Sequence, residues 1–307
     1  MSSGKKGNQQ ESPETGRYSG NRSKAFLGGV DVMEHTPNAP ALTGLARVGA
    51  TARRISRVLA DLLWPEPCAA CGVMLAAAPA VPGREGGLPP ALAPLASCLC
   101  PQCLSLCHPI AVPLCPLCGL PYAPEAVGHE CSWCRDRRPR FVSARAAGVY
   151  GGPLRLAIHR FKYSRRSGLA RPMSRSLAQA FLAFYGPEGA DVAVPVPLHI
   201  GRLRHRGFNQ ALLLLGGFGP EHGLPPVAPR ALVRTRNTPP QVGLSARERT
   251  VNLKNAFAVS DPAAVRDLRV LLVDDVYTTG ATAEACSREL LKAGALEVKV
   301  LTLARVM

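Results

Sequence analysis

The chain of 307 residues is 47% apolar, enough for about two domains with at least one real core. It holds no uninterrupted apolar run of about 18 residues, and its opening "MSSGKKGNQQESPETGRYSGNRSK" has no apolar stretch able to act as a secretory h-region, which excludes membrane insertion and predicts a cytoplasmic protein. Lys and Arg exceed Asp and Glu by 37 to 21, a formal charge of +16, so the surface attracts polyanions without selecting among nucleic acid, phosphorylated metabolites and acidic headgroups; an Arg-, Ala- and Pro-rich, GC-biased composition explains much of the excess equally well.

In chain order, residues 1–45 are polar, rich in Gly, Ser and Pro and without sustained period, which predicts a disordered tail with no chemistry. Over 46–66 an amphipathic helix is expected. Val48, Ile55, Val58, Leu59, Leu62 and Leu63 fall largely on one face and the arginines on the other, and Pro65 ends it.

Residues 67–138 hold ten of the eleven cysteines and little regular periodicity. In a reducing compartment they are no disulfide framework. Four C-x-x-C pairs stand in series, Cys68/Cys71, Cys100/Cys103, Cys115/Cys118 and Cys131/Cys134. Two thiolates two residues apart bind one Zn²⁺ from a tight turn and a second pair completes the tetrahedron, so eight ligands suit two closed, structural Cys₄ zinc ribbons that replace the missing core. Sequential pairing is simplest and an interleaved one stays open. Cys98 and Cys107, the latter beside His108, are alternative ligands. The insertion "GVMLAAAPAVPGREGGLPPALAPLAS" is long for a ribbon loop, and the redox reading lacks the strand-to-helix context it needs.

From 139 to 307, short β-rich runs alternate with helical stretches, which predicts an α/β domain with a parallel sheet and crossover helices. Within "VLLVDDVYTTGAT" a buried strand meets a helix at the carboxyl end of the sheet, where α/β folds bind ligands. The amides of "TTGAT" and the hydroxyls of Thr278, Thr279 and Thr282 suit a phosphate, and Gly280 permits close backbone approach. Asp274 and Asp275 want hydroxyl donors or a metal. Ribose 5-phosphate, with a phosphate near a vicinal diol, satisfies both halves. Upstream, "VPVPLHIGRLRHRGFNQA" places Arg202, Arg204 and Arg206 ahead of a helix start, enough to neutralise a pyrophosphate or a nucleic-acid backbone, although a solvated charge run reads the same way. Lys162 in "FKYS" reads as a surface charge or one more cation.

The loop resembles the phosphoribosyl pyrophosphate (PRPP) motif of type I phosphoribosyltransferases at every characteristic position. With "WPEPCAACG", "LCPQC", "FKYSRRSGLA", "VPVPLHIGRLRHRGFNQA" and "RTRNTPPQVGLSARERTVN" in order, the chain from about Leu59 onward is similar to the ComF family, which joins a zinc ribbon to a type I phosphoribosyltransferase-like domain and is associated with DNA uptake in natural transformation. The resemblance implies that Asp274 and Asp275 are catalytic-site acids on the ribose hydroxyls. Thr278, Thr279, Gly280, Ala281 and Thr282 would surround the 5-phosphate. Residues 196–199 would form the pyrophosphate loop, with Arg202, Arg204, Arg206 and Asn209 nearby. Gln241, Arg249 and Asn252 would belong to a mobile hood between Arg234 and Asn252, although a rigid surface connection fits that segment as well.

Three functions follow. A phosphoribosyltransferase would bind PRPP with Mg²⁺ and pass the ribose to a nitrogen nucleophile, but no segment identifies the acceptor. A non-catalytic module would grip single-stranded DNA, or a partner such as a DNA-uptake helicase; with 5% aromatic residues its DNA contacts should be largely electrostatic. A third reading is a PRPP sensor in nucleotide metabolism.

Overall fold

The structure, a computed structural model, describes residues 66–75, 87–110, 112–122, 129–163, 167–238, 248 and 252–307. The expected tail over 1–45, the expected helix over 46–66 apart from Glu66, much of the insertion between the first two cysteine pairs, and Gln241 and Arg249 lie outside the described residues.

The cysteine segment folds as two small units built alike. In the first, Pro67 bridges Met74, Cys68 N donates to Val73 O (2.7 Å) and Gly72 N to Cys68 O (3.0 Å). In the second, Leu114 bridges Pro121, Cys115 N donates to Leu120 O (2.8 Å) and Gly119 N to Cys115 O (2.9 Å). The turn glycines sit at φ +84° and +69°, where an L side chain is strained. Cys100 and Cys131 then cap equivalent short helices, α1 (Pro101–Ser105) and α2 (Ser132–Asp136). The doubled cysteine pairs are thus the visible part of a repeat that extends to the backbone.

Then follow β1 (Ser143–Val149), α3 (Gly152–Tyr163), α4 (Ala170–Tyr185), β2 (Val192–Pro195), α5 (Ile200–Arg206), α6 (Gln210–Leu214), β3 (Leu232–Arg234), β4 (Phe257–Val259), β5 (Arg269–Tyr277), α7 (Ala281–Lys292) and β6 (Glu297–Arg305). Four strands form one sheet in the order β1-β6-β5-β2 with every neighbour parallel, while β3 and β4 make a separate antiparallel pair. All four carboxyl ends therefore meet at one edge of the main sheet, and both of its faces must be covered.

Alternation along the strands divides the core. Leu271, Val273, Leu301 and Leu303 pack with α3, α4 and the first cysteine unit, including Phe161, Phe181, Leu92 and Cys68. Val270, Leu272, Val298 and Val300 pack with α7, the β3-β4 pair and the second unit, including Leu290, Phe257, Cys115 and Cys134. The two cysteine units thus cover opposite faces of one sheet. The outer edge of β1 is met by both, Ala144 N donating to Leu117 O of the second unit (2.6 Å) and Val149 N to His108 O just after the first (2.9 Å), so the edge strand does not stand bare.

At the amino ends, Arg269 clasps Asp191 through Nε to Oδ2 (3.0 Å) and Nη2 to Oδ1 (2.6 Å), tying β5 to the start of β2; the guanidinium hydrogen bonds bring the Asp191 carboxyl down to about 2. Among the described residues no helix is long and apolar enough to cross a membrane.

Candidate functional site

The thiols gather as Cys68, Cys71, Cys100 and Cys103 in one quartet and Cys115, Cys118, Cys131 and Cys134 in the other, with Sγ atoms within 4.8 Å of one another. The pairing is sequential. A tetrahedral zinc at the usual Zn–S length of about 2.3 Å separates its sulfurs by about 3.8 Å. Cys71 and Cys100 Sγ stand 3.7 Å apart, and Cys118 and Cys131 Sγ 3.6 Å. In each quartet the first sulfur accepts the amide of the third cysteine, Cys100 N to Cys68 Sγ at 3.3 Å and Cys131 N to Cys115 Sγ at 3.5 Å. Burial raises these two thiols, yet the backbone donors outweigh it and bring both to about 6, favouring the thiolate that a metal needs. Each quartet can therefore hold one Zn²⁺ with no coordination position left over. Cys98 and Cys107 stand outside them: their thiols donate to Leu95 O and Cys103 O, and burial pushes them to about 12 and about 11.

The acid pair and threonine loop join β5 to α7. The strand runs on through both acids to Tyr277, so the carboxylates leave it toward opposite faces. Asp275 is buried and pairs with Lys162 of α3, Nζ to Oδ1 2.9 Å, while its Oδ2 has no hydrogen-bond partner among the described residues. Burial disfavours the Lys162 charge, but Asp275 prevails and raises its affinity for a proton. Asp274 faces the side of Arg234 and Cys286 and accepts the Asp275 amide at 2.8 Å; burial first, and then the Asp275 charge, lift its carboxyl to about 7. Thr279 Oγ1 is a second buried polar atom without a partner among the described residues. Gly280 (φ +79°) caps α7 with no side-chain hydrogen bond, so the opening amides of this twelve-residue helix face the loop. Asp274, Thr278, Gly280 and Thr282 line one small cleft with Val196 and Thr302.

Residues 196–199 lie beside this loop because β2 and β5 are neighbours: Val196 N donates to Val273 O at 2.8 Å. Asn209 braces the segment, its Nδ2 donating to Val196 O (3.1 Å) while its Oδ1 caps α6 through Ala211 N (3.0 Å). His199 caps α5, from which Arg202, Arg204 and Arg206 project. Arg202 Nη2 donates to Thr238 O (2.7 Å), Arg206 Nη1 to Gln210 Oε1 (2.5 Å), and Arg204 is exposed. Arg202 shares the rim with Arg234, whose Nη2 donates to Thr238 Oγ1; burial, then Arg202, lowers the proton affinity of Arg234. Of the expected hood, the stems are β3 and β4, and Asn252 sits ahead of β4.

Sequence reasoning undervalued Lys162, which the amphipathic pattern assigns to the boundary of α3 rather than its solvent face, and missed Arg234, whose role is visible only once β3 pairs with β4. It also missed an exposed ring pair. His159 and Tyr163, one turn apart on α3, pack with ring centroids 4.7 Å apart and planes inclined by 42°, and Arg206 lies 5.1 Å over the Tyr163 ring.

A parallel sheet with this loop at its carboxyl edge defines a phosphoribosyltransferase-like domain, and the family model described as "Phosphoribosyl transferase domain" matches residues 226–307. The chain is 38% identical over 199 residues to "DNA utilization protein YhgH" of Salmonella typhimurium, covering 64% of this chain and 86% of that protein. It is 34% identical over 200 residues to "Competence protein F" of Haemophilus influenzae (63% and 85%) and 31% identical over 214 residues to "Competence protein ComFC" of Bacillus subtilis (67% and 84%). The chain belongs to the ComF family of competence and DNA-utilization proteins.

Proposed function

We propose that the protein binds PRPP, or a related ribose phosphate, with Mg²⁺ at the carboxyl edge of its sheet and links that site to the handling of single-stranded DNA. The observation that carries this reading is the pairing of opposite demands in one loop: Asp275 Oδ2 and Thr279 Oγ1 are buried without hydrogen-bond partners among the described residues, one able only to accept and the other able to donate, next to the start of α7, whose cap Gly280 offers no side-chain hydrogen bond. The threonine loop and helix amides would hold the 5-phosphate, Asp274 would accept a ribose hydroxyl, and Asp275, its charge balanced by Lys162, would keep one oxygen for the same sugar. Arg202, Arg204 and Arg206 supply the cations a pyrophosphate needs, and Asn209 fixes the segment that carries them. Mg²⁺ fits the oxygen donors of Asp274 and the ligand and would supply charge neutralisation on the pyrophosphate. Transfer of the ribose to a nitrogen nucleophile is the reaction such a site supports, and the acceptor is unassigned.

This reading is tested by competition. Ribose 5-phosphate and pyrophosphate, which would occupy different halves of the site, should each displace labelled PRPP; failure of both to displace it would rule the assignment out.

The DNA half rests on the His159–Tyr163 pair with Arg206 above it, beside the exposed Arg204 and His205. An exposed aromatic face flanked by guanidinium groups suits an unpaired base and its backbone, and it borders the phosphate site through Lys162. Anisotropy of a labelled oligothymidylate over a salt series tests it: affinity unchanged between about 50 and 200 mM salt, a range over which each neutralised phosphate of a single strand should weaken binding by roughly 2.6-fold, would contradict it.

A further inference from the structure

Arg305, the last residue of β6, is buried. A guanidinium in that position needs an anion, yet among the described residues no carboxylate pairs with it. It turns instead to the second quartet: Nη1 donates to Cys118 O, and Nη2 stands 3.6 Å from Cys118 Sγ. Four thiolates around one Zn²⁺ sum to two net negative charges, so the loaded quartet supplies the missing counter-charge.

The other face of the guanidinium lies on Tyr277, Cζ 4.6 Å from the ring centroid, and the two residues are register partners across β5 and β6. Phe141 closes the ring from the side, edge-on with centroids 6.3 Å apart. The Tyr277 hydroxyl is buried without a hydrogen-bond partner among the described residues and reaches under Gly280, where an added Cβ would come within 2.3 Å of it. A contiguous line of contacts therefore runs from Cys118 through Arg305 and Tyr277 to the start of α7. A second tie lies alongside: Arg140, just after the second unit, donates its amide to Glu284 in the first turn of α7 at 2.8 Å. The first quartet accepts Arg160 of α3 at Cys68 O (2.8 Å), and among the described residues no cation–π contact carries Arg160 on to the loop.

We infer that Arg305 is a positioning residue coupling the second cysteine quartet to the phosphate loop, so that metal in Cys115/Cys118/Cys131/Cys134 and a phosphate at the start of α7 strengthen each other's binding. The inference rests on the ribose-phosphate reading of the loop. Coupling between two sites is reciprocal, so it can be measured from the metal side without any turnover.

The experiment strips the zinc-loaded full chain with increasing chelator, with and without saturating ribose 5-phosphate. Freed thiols are alkylated and assigned by mass spectrometry. Ribose 5-phosphate should raise the chelator concentration that exposes Cys115, Cys118, Cys131 and Cys134 on the order of tenfold and leave the first quartet unmoved. Arg305→Met should abolish that selectivity and weaken ribose 5-phosphate binding by a similar factor, with Arg305→Lys, which keeps the charge and loses the fork, between the two. Protection of both quartets alike, or of neither, while the wild-type chain binds ribose 5-phosphate overturns the coupling alone. No binding by the wild-type chain overturns the loop assignment and the coupling with it. Should Arg305→Met not fold, the selective protection in the wild-type chain and the Arg305→Lys result decide the matter.

Discussion

Lys162 Nζ lies 2.9 Å from Asp275 Oδ1, joining the end of α3 to the acid at the tip of β5 across a boundary where both side chains are largely buried. Removing one partner leaves an uncompensated buried charge, which costs more than the pair contributes. Lys162→Met should therefore destabilise the protein by about 3 kcal/mol, and adding Asp275→Asn should recover part of that loss. Urea denaturation of the two variants checks it; a single variant as stable as the parent would show that the pair is solvated.

Asp274 makes a prediction of opposite sign for stability and binding. Its folded carboxyl lies near 7, above an ordinary value of 3.8. Between those two limits the folded state holds the extra proton, so the cost of ionising Asp274 grows as pH rises and is complete above about 7. Asp274→Asn should raise the melting temperature at pH 8 by roughly 2–4 °C for each kcal/mol recovered, change little at pH 4, and lose ribose-phosphate affinity at both. Melting curves across that range decide it.

The glycines of the two cysteine turns separate backbone strain from crowding. Gly72 and Gly119 both have positive φ, but an added Cβ meets open space at Gly72 and lies 2.4 Å from Ala144 O at Gly119. Gly72→Ala should cost about 1 kcal/mol for the left-handed backbone alone. Gly119→Ala should cost more, because the second unit must also shift off β1. Equal melting temperatures for the two variants would contradict the close approach.

Gly280→Ala should be damaging for a related reason. Its Cβ would lie 2.3 Å from a Tyr277 hydroxyl that Arg305 and Phe141 hold in place. Loss of ribose-phosphate binding is expected with the sheet intact, and Tyr277→Phe in the same chain should restore a part of it by removing the nearest atom. Calorimetric titration of the single and double variants measures the rescue.

On the face proposed to bind DNA, Tyr163→Ala should weaken oligothymidylate binding by about 1–3 kcal/mol without altering its salt slope. Arg204→Ala should instead lower the slope of log K against log salt by about 0.7. The two variants thus tell stacking from charge.

Much of this was legible in the residues. Four C-x-x-C pairs announce two tetrahedral sites, because that spacing serves one metal from one turn, and "VLLVDDVYTTGAT" carries its strand, loop and helix in a single local run. What stayed hidden depends on long-range packing. Nothing near Arg305 in sequence points to Cys118, and the contact exists only because β6 ends where the second cysteine unit covers one face of the sheet. Lys162 reads as a surface charge until α3 is laid against the end of β5. The rings of His159 and Tyr163 were masked by the low aromatic content, since composition reports how many rings exist and not where two of them meet.

The most direct test of the account is calorimetric titration of PRPP with Mg²⁺ into the zinc-loaded protein, beside a chain carrying Asp274→Asn and Asp275→Asn. Saturable one-to-one binding that the double variant loses is the predicted result. Absence of binding to the intact protein, or equal binding by both chains, would mean that the acid pair and threonine loop do not form a phosphoribosyl site.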